Sequence, residues 1–434
     1  MRINRKIVAV FVMVAMLSIT GAKAQYIVGN TFSPYTMYGL GEMYVTGDAV
    51  SKAMGGIGIA SRQMISPNTQ NPAAFSAMGE KAVLFSIGLQ ANNNYLQDGG
   101  LSTSHNSFLL NNLNLQFRIA KGIGFGMSLS PYSSVGYRVR LQETDPNVIE
   151  NIGDVTYNYT GRGGASQLKL GFGVAITKDL SLGINYIYYL GNVTREFNST
   201  ITPFVTPFDY REIYDKQDLL VNQSSFELGL QYKIETSDRS AITIGLVYQP
   251  HIKGTADLKQ IVSSYSSNSS DTVKYSNKNA SIRYPAKYGG GILFENPKMK
   301  VGIDYVYQDF KDALTDYNTS ERAKMTGSHD LKLGFEYIPN RFDVRSHMKR
   351  WSYRLGARYG RSYIEYDGKP LEEVALTLGF GVPLQKNGFT QMNFGAEIGR
   401  AGLAAGQVKN TYFRIFGGFN FFTMGEWFKR HKFR

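Results

Sequence analysis

The segment from Leu180 to Tyr186 alternates large apolar residues with small or polar ones at every position. Side chains of a β-strand point to opposite faces in turn, so this pattern describes a strand with one apolar and one polar face. The same alternation returns in segments that begin at Val83, Leu168, Ile242 and Leu331. In a soluble β-sandwich the small positions of the polar face would contact bulk water, and they would rarely be glycine as often as they are here. The pattern therefore predicts an all-β, transmembrane antiparallel β-barrel whose apolar face meets lipid and whose polar face lines a lumen.

The N-terminus has the organisation of a secretory signal peptide. Basic residues precede an apolar run over residues 7–17, and small residues follow, ending in Ala22-Lys23-Ala24. The run is too short to span a bilayer, and the final tripeptide fits an A-x-A cleavage site. We therefore predict that residues 1–24 form a signal peptide and that the protein is exported to the cell outer membrane.

Composition restricts the class of protein further. Cysteine is absent, which excludes disulfides, thiolate metal sites and cysteine nucleophiles. The chain has 46 glycines, 29 tyrosines and 26 phenylalanines, and its mean hydropathy is -0.24. A mildly polar chain rich in aromatic residues is typical of a membrane barrel, because only alternate residues face lipid and aromatic side chains gather at the two interfaces.

The formal net charge is +13. In an exported barrel this charge favours contact with anionic outer-membrane lipid head groups, or attraction of an anionic solute into the lumen. We expect no nucleic-acid partner. Solvated loop charge without a specific partner stays open for most individual Lys and Arg residues.

The chain divides into four parts. Residues 25–80, after the signal peptide, lack the strand alternation and hold a glycine-rich run, so we predict an N-terminal plug, or hatch, that folds against the barrel. Residues 81–422 hold about 14 strand segments, a number within the range of outer-membrane barrels. Residues 423–434 are predicted to form a periplasmic C-terminal tail. The basic connector 339–350, on the side of the tight turns, stays unexplained. Long polar connectors are predicted on the other side at 92–106, 142–163, 197–211, 263–275 and 312–324.

Two motifs mark the predicted hatch, Gly55-Gly56 and the tripeptide Asn71-Pro72-Ala73 just before the first strand. With these motifs, and with its order of signal peptide, hatch and barrel, the chain resembles the FadL/TodX family of outer-membrane transporters for hydrophobic molecules. It is similar in particular to the Bacteroidetes branch of that family, in which a Gly-Gly element before a strand, here Gly163-Gly164, and a tail like Trp427–Arg430 recur. The resemblance covers essentially the whole mature chain.

The resemblance implies transport of long-chain fatty acids or other hydrophobic compounds through a plugged barrel. It also implies lateral release into the bilayer through a gap at a kinked third strand. Pro131 interrupts the predicted third strand, and proline cannot donate a hydrogen bond to a neighbouring strand. Pro131, Ser133 and Ser134 are therefore the lateral-gate candidates. The alternative, that Pro131 only ends the membrane-crossing part of the strand, stays open.

Strand parity places a set of charged residues on the inner face of the barrel, where most of them are expected to pair with one another. They are Arg118, Lys169, Glu227, Lys233, Asp304, Lys332, Glu336, Arg354, Arg358, Glu397 and Arg414. Cations on an inner face can also bind a carboxylate or another anionic head group. The candidates for this role are Arg354, Arg358, Lys169 and Lys332.

Catalysis finds little support in the sequence. The five histidines fall in loops, at strand ends or in the tail, and Gly55–Gly58 lacks the Lys-Ser/Thr of a phosphate loop. We predict no catalytic residue, no metal and no cofactor. The expected partners are a fatty-acid-like small molecule, outer-membrane lipid and the barrel assembly machinery. The alternative function is a non-transport component, shuttle or scaffold, of a type IX secretion system.

Overall fold

The computed structural model describes residues 31–63, 66–203, 210–266, 269–311, 323–385 and 389–424. The predicted signal peptide, most of the predicted connector 312–324 and most of the predicted C-terminal tail lie outside these residues. No helix in the described ranges has the length and apolar character needed to cross a membrane.

Fourteen antiparallel strands of the described chain form one closed barrel, in which the first strand pairs with the last. The strands are β1 Ala82–Asp98, β2 Leu101–Ala120, β3 Ile123–Gln142, β4 Asp154–Ala175, β5 Leu180–Thr202, β6 Glu212–Ser237, β7 Ser240–Gln249 with Ile252–Tyr265, β8 Ser270–Tyr284 with Ala286–Glu295, β9 Met299–Asp309, β10 Ala323–Met325 with Gly327–Tyr337, β11 Ser352–Tyr366, β12 Lys369–Pro383, β13 Gln391–Ala401 and β14 Lys409–Met424. The predicted all-β barrel is confirmed.

The two faces of the strands follow the alternation. In β5, Ser181 and Asn185 are buried inside the barrel, whereas Leu182, Ile184 and Tyr186 are exposed on its outer wall. An apolar outer wall is the surface that acyl chains contact, because charged side chains there are costly at the depth of the hydrocarbon. Together with the closed barrel, this wall makes the chain an outer-membrane β-barrel protein.

An N-terminal segment, residues 31–80, contacts the inner face of the barrel. It holds helix α1, Ala49–Ala53, and the Asp48 carboxylate caps this helix by accepting a hydrogen bond from the Ser51 backbone N–H at 3.0 Å. Residues 64–65 of the segment lie outside the described residues. Its other elements are the 3₁₀-helices Pro34–Met37 and Pro72–Ala77 and the short strand Glu42–Met43.

The predicted long connectors are in part wrong. Strands β1 and β2 continue to a turn at Gly99-Gly100, where both glycines have positive φ, so 92–106 is a hairpin rather than a loop. The predicted connector 142–163 holds helix α2, Pro146–Ile152, and the beginning of β4. Strands β5, β7 and β8 also extend into predicted loops. Beyond the bilayer both faces of a strand contact water, so polar residues there do not indicate a loop.

Candidate functional site

The barrel wall is interrupted between β2 and β3. Register pairs join these strands from Leu113 and Leu129 down to the turn at Lys121-Gly122 and go no higher, although β2 begins at Leu101 and β3 continues to Gln142. Within the described residues, the upper parts of the two facing edges are not paired with each other. An unpaired edge exposes backbone donors and acceptors, which require other partners.

A β-bulge and two glycines bend the wall beside this gap. The register between β3 and β4 shifts between Pro131 and Ser133, so Tyr132 is an extra residue in β3. Opposite the bulge, Gly163 and Gly164 have φ of 115° and 143°, values that glycine adopts readily. This Gly-Gly element lies within β4, not before a strand as expected. The gate candidates Pro131, Ser133 and Ser134 lie where β3 separates from β2.

The first residues of the N-terminal segment occupy the free edge of β3. We call residues 31–46 the edge segment. Its Glu42 and Met43 pair in antiparallel register with Ser134 and Ser133. Further backbone hydrogen bonds run from Ser33 N to Gly136 O at 2.8 Å and from Tyr44 N to Tyr132 O at 3.0 Å. The edge segment thus supplies β3 with hydrogen bonds that β2 does not make.

The edge segment also reaches β2. The Phe32 ring stacks on His105 of β2 with ring centroids 4.8 Å apart. On the β3 side, a Cβ at Gly136 would lie only 1.8 Å from the Thr31 carbonyl oxygen, so glycine allows the two backbones to meet. The edge segment therefore bridges the two strands across the gap.

The predicted motif Asn71-Pro72-Ala73 begins a second contact, which we call the anchor and define as residues 71–77. Asn71 Oδ1 accepts a hydrogen bond from Ala73 N at 3.0 Å and caps the 3₁₀-helix Pro72–Ala77. Asn71 Nδ2 lies 3.1 Å from Leu230 O of β6 and 3.3 Å from Leu246 O of β7. One fully buried side chain therefore joins the anchor to two barrel strands.

Inward-facing glycines make room for the anchor. A Cβ at Gly183 of β5 would lie 2.3 Å from the Pro72 carbonyl carbon, and one at Gly124 of β3 would lie 1.9 Å from the Phe75 carbonyl oxygen. Both contacts are with backbone atoms, which cannot turn aside as a flexible side chain can. The glycines of the polar face are thus a means of bringing wall and segment backbones together.

The second predicted hatch motif, Gly55-Gly56, follows α1. Both glycines have positive φ, 71° and 87°, and Gly55 N donates to Thr377 Oγ1 of β12 at 3.0 Å. Two residues later the Asp304 carboxylate of β9 accepts hydrogen bonds from Gly58 N at 2.6 Å and Ile59 N at 2.9 Å. This turn therefore fixes the segment to β9 and β12, in addition to the two strands that Asn71 joins to the anchor.

A buried lysine joins α1 to the strands beside the gap. Lys52 Nζ donates hydrogen bonds to Gln90 Oε1 of β1 at 2.6 Å and to Asn111 Oδ1 of β2. Both partners are neutral amides. Burial therefore lowers the pKa of Lys52 from 10.5 to about 7, and the Glu397 carboxylate raises it by a smaller amount.

A cavity of about 170 Å³ lies behind the edge segment, whose residues form one of its walls. Tyr189, one of the aromatic residues that line it, stacks on Tyr284 with ring centroids 4.4 Å apart. The other walls combine aromatic rings with charged side chains of both signs, among them Tyr132, Tyr363, Lys169, Lys332, Arg358, Glu42, Asp330 and Glu373. This is an aromatic chamber with charged groups, and it has the size of a small ring compound.

Three of the four head-group candidates form buried ion pairs. Lys169 Nζ lies 3.0 Å from Glu227, Arg354 Nε lies 2.7 Å from Glu336, and Arg358 Nη2 lies 2.7 Å from Glu373 and 3.1 Å from Glu397. Lys287 contacts Glu227 as well. Arg354 is not among the residues that line the cavity. Opposite charges inside the barrel compensate one another, so these pairs hold strands together.

Lys332 differs from the other three candidates. It lines the cavity and is 5% exposed, yet within the described residues its ammonium has no hydrogen bond or ion pair. Its cross-strand neighbours are Asp304, which binds Gly58 and Ile59, and the cation Arg358. A buried cation that forms no ion pair is costly, even with the Asp304 and Asp330 carboxylates nearby. Lys332 is therefore the candidate whose charge is available to a ligand.

Comparison with known proteins gives the family. The model of the family described as BamG matches residues 3–434. The chain belongs to the BamG family. A search of curated proteins gives no match.

Solved structures similar to this BamG-family chain share its fold. A Pseudomonas aeruginosa FadL homologue has a TM-score of 0.59 at 14% identity, covering 88% of this chain and 99% of its own. The Ralstonia pickettii toluene transporter TbuX has 0.55 at 16%, covering 89% and 99%. The P. putida toluene transporter TodX has 0.54 at 15%, covering 90% and 99%. The predicted resemblance to the FadL/TodX family is confirmed.

Two charged residues that parity places inside the barrel lie near its rim. Arg118 Nε donates to Ala120 O at 2.9 Å, and Lys233 pairs with Glu235 at 3.3 Å, in both cases partly exposed near a strand end. The described residues of this BamG-family chain contain no group of three or more His, Cys, Asp or Glu side chains that could hold a metal ion. Sequence reasoning missed the edge segment, because Glu42 and Met43 do not continue into an alternating strand.

Proposed function

We propose that this BamG-family protein carries hydrophobic compounds across the outer membrane and releases them sideways into the bilayer. The observation that carries the proposal is the gap between β2 and β3, which the chain's own edge segment fills, with an aromatic cavity directly behind it. The toluene transporters TbuX and TodX have the same fold, which supports a hydrophobic compound as the solute.

The proposed route runs from the cavity through the gap. A solute rests against the inner side of the edge segment, the segment leaves the edge of β3, and the solute moves between β2 and β3 into the acyl chains. The edge segment is held to β3 by a short row of hydrogen bonds, each worth about 0.5–1.5 kcal/mol net. It can therefore separate from β3 while the fourteen-strand ladder stays paired.

Cavity size and charge suggest the class of solute. An engineered apolar cavity of about 150 Å³ binds benzene, so the 170 Å³ cavity fits a single ring without rearrangement. A long-chain fatty acid requires more space, which displacement of the edge segment would provide. Lys332 is then the residue that binds a carboxylate, whereas Arg354, Arg358 and Lys169 stay in their ion pairs.

A disulfide across the proposed gate tests lateral release. The chain has no cysteine, so the double substitution Met43→Cys with Ser133→Cys creates one defined crosslink between register partners. Oxidation should reduce uptake of labelled toluene and of a labelled fatty acid to the level of cells without the protein. Reduction should restore uptake.

The matched control is Thr156→Cys with Thr200→Cys, register partners in β4 and β5 away from the gap. Oxidation of this pair should leave uptake unchanged. Normal uptake by the Met43/Ser133 pair when crosslinking is complete would show that the edge segment does not move, and lateral release would then be abandoned.

A second candidate function is a non-transport subunit of an outer-membrane assembly. The filled interior favours it, since the N-terminal segment and buried ion pairs occupy much of the lumen. The family description BamG also suggests a link to the barrel assembly machinery. The type IX secretion alternative belongs to the same class of function.

Purification in a mild detergent separates the two candidates. A transporter should copurify with a hydrophobic small molecule that mass spectrometry identifies, and Lys332→Met should reduce the amount bound if the molecule is a carboxylate. A subunit should instead copurify with other outer-membrane proteins in a fixed ratio, with no bound ligand.

A further inference from the structure

The connector between β10 and β11, residues 339–350, differs from the other turns at its end of the barrel. The turns at Lys121-Gly122 and Asp238-Arg239 contain two residues each, as expected for the periplasmic end of such a barrel. The connector holds four basic residues, Arg341, Arg345, Lys349 and Arg350, and one acidic residue, Asp343. Neither the barrel nor the proposed transport route requires this segment.

The connector has a defined conformation. Asp343 Oδ1 accepts hydrogen bonds from Arg345 N at 2.9 Å and Ser346 N at 2.7 Å, and Asn340 N donates to Lys349 O at 2.8 Å. The Asp343 carboxylate is thereby used within the connector. The positive charge of Arg345 is left without a close carboxylate among the described residues.

The C-terminal half of the connector lies on the outer wall of the barrel at the level of an aromatic girdle. The hydroxyl of Tyr353, an outward-facing residue, donates to Met348 O at 3.1 Å. Trp351 stacks on the outward-facing Phe380 with ring centroids 5.4 Å apart. Trp and Tyr side chains of this kind lie at the depth of lipid head groups. Residues 345–350 are therefore beside head groups and not deep in the periplasm.

Each exposed apolar side chain of the connector is next to a basic residue in the sequence. Val344 is 96% exposed, Phe342 73% and Met348 62%. Arg341 precedes Phe342, Arg345 follows Val344 and Lys349 follows Met348. Positive charge continues into an adjacent groove of about 630 Å³, lined by Arg62, Lys298 and Arg341 and by one carboxylate, Glu295.

We propose that the connector binds the anionic head groups of phospholipids in the periplasmic leaflet. Apolar side chains that enter the interface, with cations between them, are the pattern of an interfacial anchor. Cations beside a membrane attract anionic lipid at a favourable energy for each charge. An acidic protein would also satisfy the charges, but the position beside the girdle favours lipid.

Trp351 provides a direct test. The chain has two tryptophans, so Trp427→Phe leaves Trp351 as the single reporter. The full-length protein is reconstituted into phosphatidylcholine vesicles that contain a fixed minor fraction of brominated phosphatidylglycerol or, in parallel, of brominated phosphatidylcholine. Bromine quenches tryptophan on contact. Quenching should be stronger with the brominated phosphatidylglycerol, and high salt should reduce the difference because salt screens the attraction.

Charge reversal assigns the preference to the connector. Arg345→Glu with Lys349→Glu should lower the enrichment of phosphatidylglycerol by about fivefold or more. The matched control, Lys121→Glu with Lys178→Glu, makes the same change of charge in two exposed turns and should preserve the preference. Retention of the folded barrel is checked for both variants by its resistance to unfolding in detergent at room temperature.

Equal quenching by the two brominated lipids in the protein without charge reversal would overturn the proposal. So would a preference that survives the reversal at Arg345 and Lys349, or one that the control variant also loses. Protection of the connector by an added periplasmic protein, without any lipid preference, would assign the surface to a protein partner instead. None of these outcomes depends on whether the protein transports a solute.

Discussion

The anchor, residues 71–77, and the edge segment, residues 31–46, hold the same N-terminal segment to the barrel by different means. The anchor lies against glycines of the wall, with Asn71 bonded to carbonyls of two strands. The edge segment instead pairs with one strand along an edge that no barrel strand covers. The anchor is thus enclosed by backbone on several sides, whereas the edge segment pairs with the backbone of one strand and meets other strands mainly through side chains.

Because of this difference, the contacts that keep the N-terminal segment attached to the barrel are not the contacts that must break to open the gap. The anchor can be displaced only if the backbone of the inner wall moves, because the contacts between anchor and wall are between backbone atoms. Removing the edge segment breaks its backbone hydrogen bonds with β3 and a set of side-chain contacts with other strands. Among these contacts are the Glu42–Arg414 ion pair and the hydrogen bonds of the Tyr363 hydroxyl with Leu40 N and Gly41 O. In the proposed mechanism the anchor keeps the segment attached while the edge segment moves. Three substitutions test this contrast, beginning with the one that should change the protein most.

Gly183→Val should displace the anchor. The new Cβ would begin 2.3 Å from the Pro72 carbonyl carbon, and overpacking of this kind costs about 3 kcal/mol when backbone must move. We expect a folded barrel with an N-terminal segment that protease cleaves much faster. The matched control is Gly290→Val, where the nearest atom to a Cβ is Leu246 Cδ2 at 3.7 Å. Equal cleavage rates for the two variants would contradict the role of the anchor.

Thr36→Val should loosen the edge segment alone. Thr36 Oγ1 lies 3.1 Å from both Gly136 O and Gly136 N, and loss of such hydrogen bonds costs about 1–2 kcal/mol. In a Met43→Cys background, a maleimide should label the cysteine faster while the free energy of unfolding of the barrel stays the same. Thr103→Val, an exposed position on β2, is the control. A fall in barrel stability without faster labelling would remove the distinction between the two regions.

Lys52 should make attachment of the segment depend on pH, with a small effect near neutral pH because the docked ammonium titrates there. Its pKa is about 7 when docked and 10.5 when exposed, so between these values the undocked form binds more protons. Docking therefore strengthens as pH rises through this window and is weakest below it. Protease cleavage of the segment should slow with rising pH, and Lys52→Met should flatten the profile. Lys121→Met, in an exposed turn, should leave the pH profile as it is.

The barrel itself could be predicted from the sequence. The ends of the strands could not be predicted at the end of the barrel where long polar connectors were expected. The segments around Leu182 and Leu333 have their apolar residues outside, as the alternation predicts. The predicted loops 92–106 and 263–275 are wrong because paired strands continue where water contacts both faces. Gly163-Gly164 was expected before a strand and lies within one, beside the bulge at Pro131.

The candidate head-group residues show a second limit of prediction from the sequence: parity predicts which face a side chain is on but not its partner. Parity places Lys169, Lys332, Arg354 and Arg358 inside the barrel, and the structure buries all four. Which of them forms an ion pair depends on register and on other contacts. Arg354 is directly opposite Glu336 and pairs with it, whereas Lys332 is between Arg358 and Asp304, whose carboxylate is bound by Gly58 and Ile59. A shift of two residues in one strand would exchange these partners without altering the alternation.

The residue pattern alone predicts a two-faced strand repeated around a closed membrane barrel, because each strand separately has a period of two. What covers the gap beside Pro131 depends on the three-dimensional fold. That contact joins residues 103 positions apart, Ser33 and Gly136, through backbone groups that almost every residue carries. Hydrogen bonds of this kind leave no pattern of side chains along the chain, and they form only when the bulge and the glycines have already bent the wall.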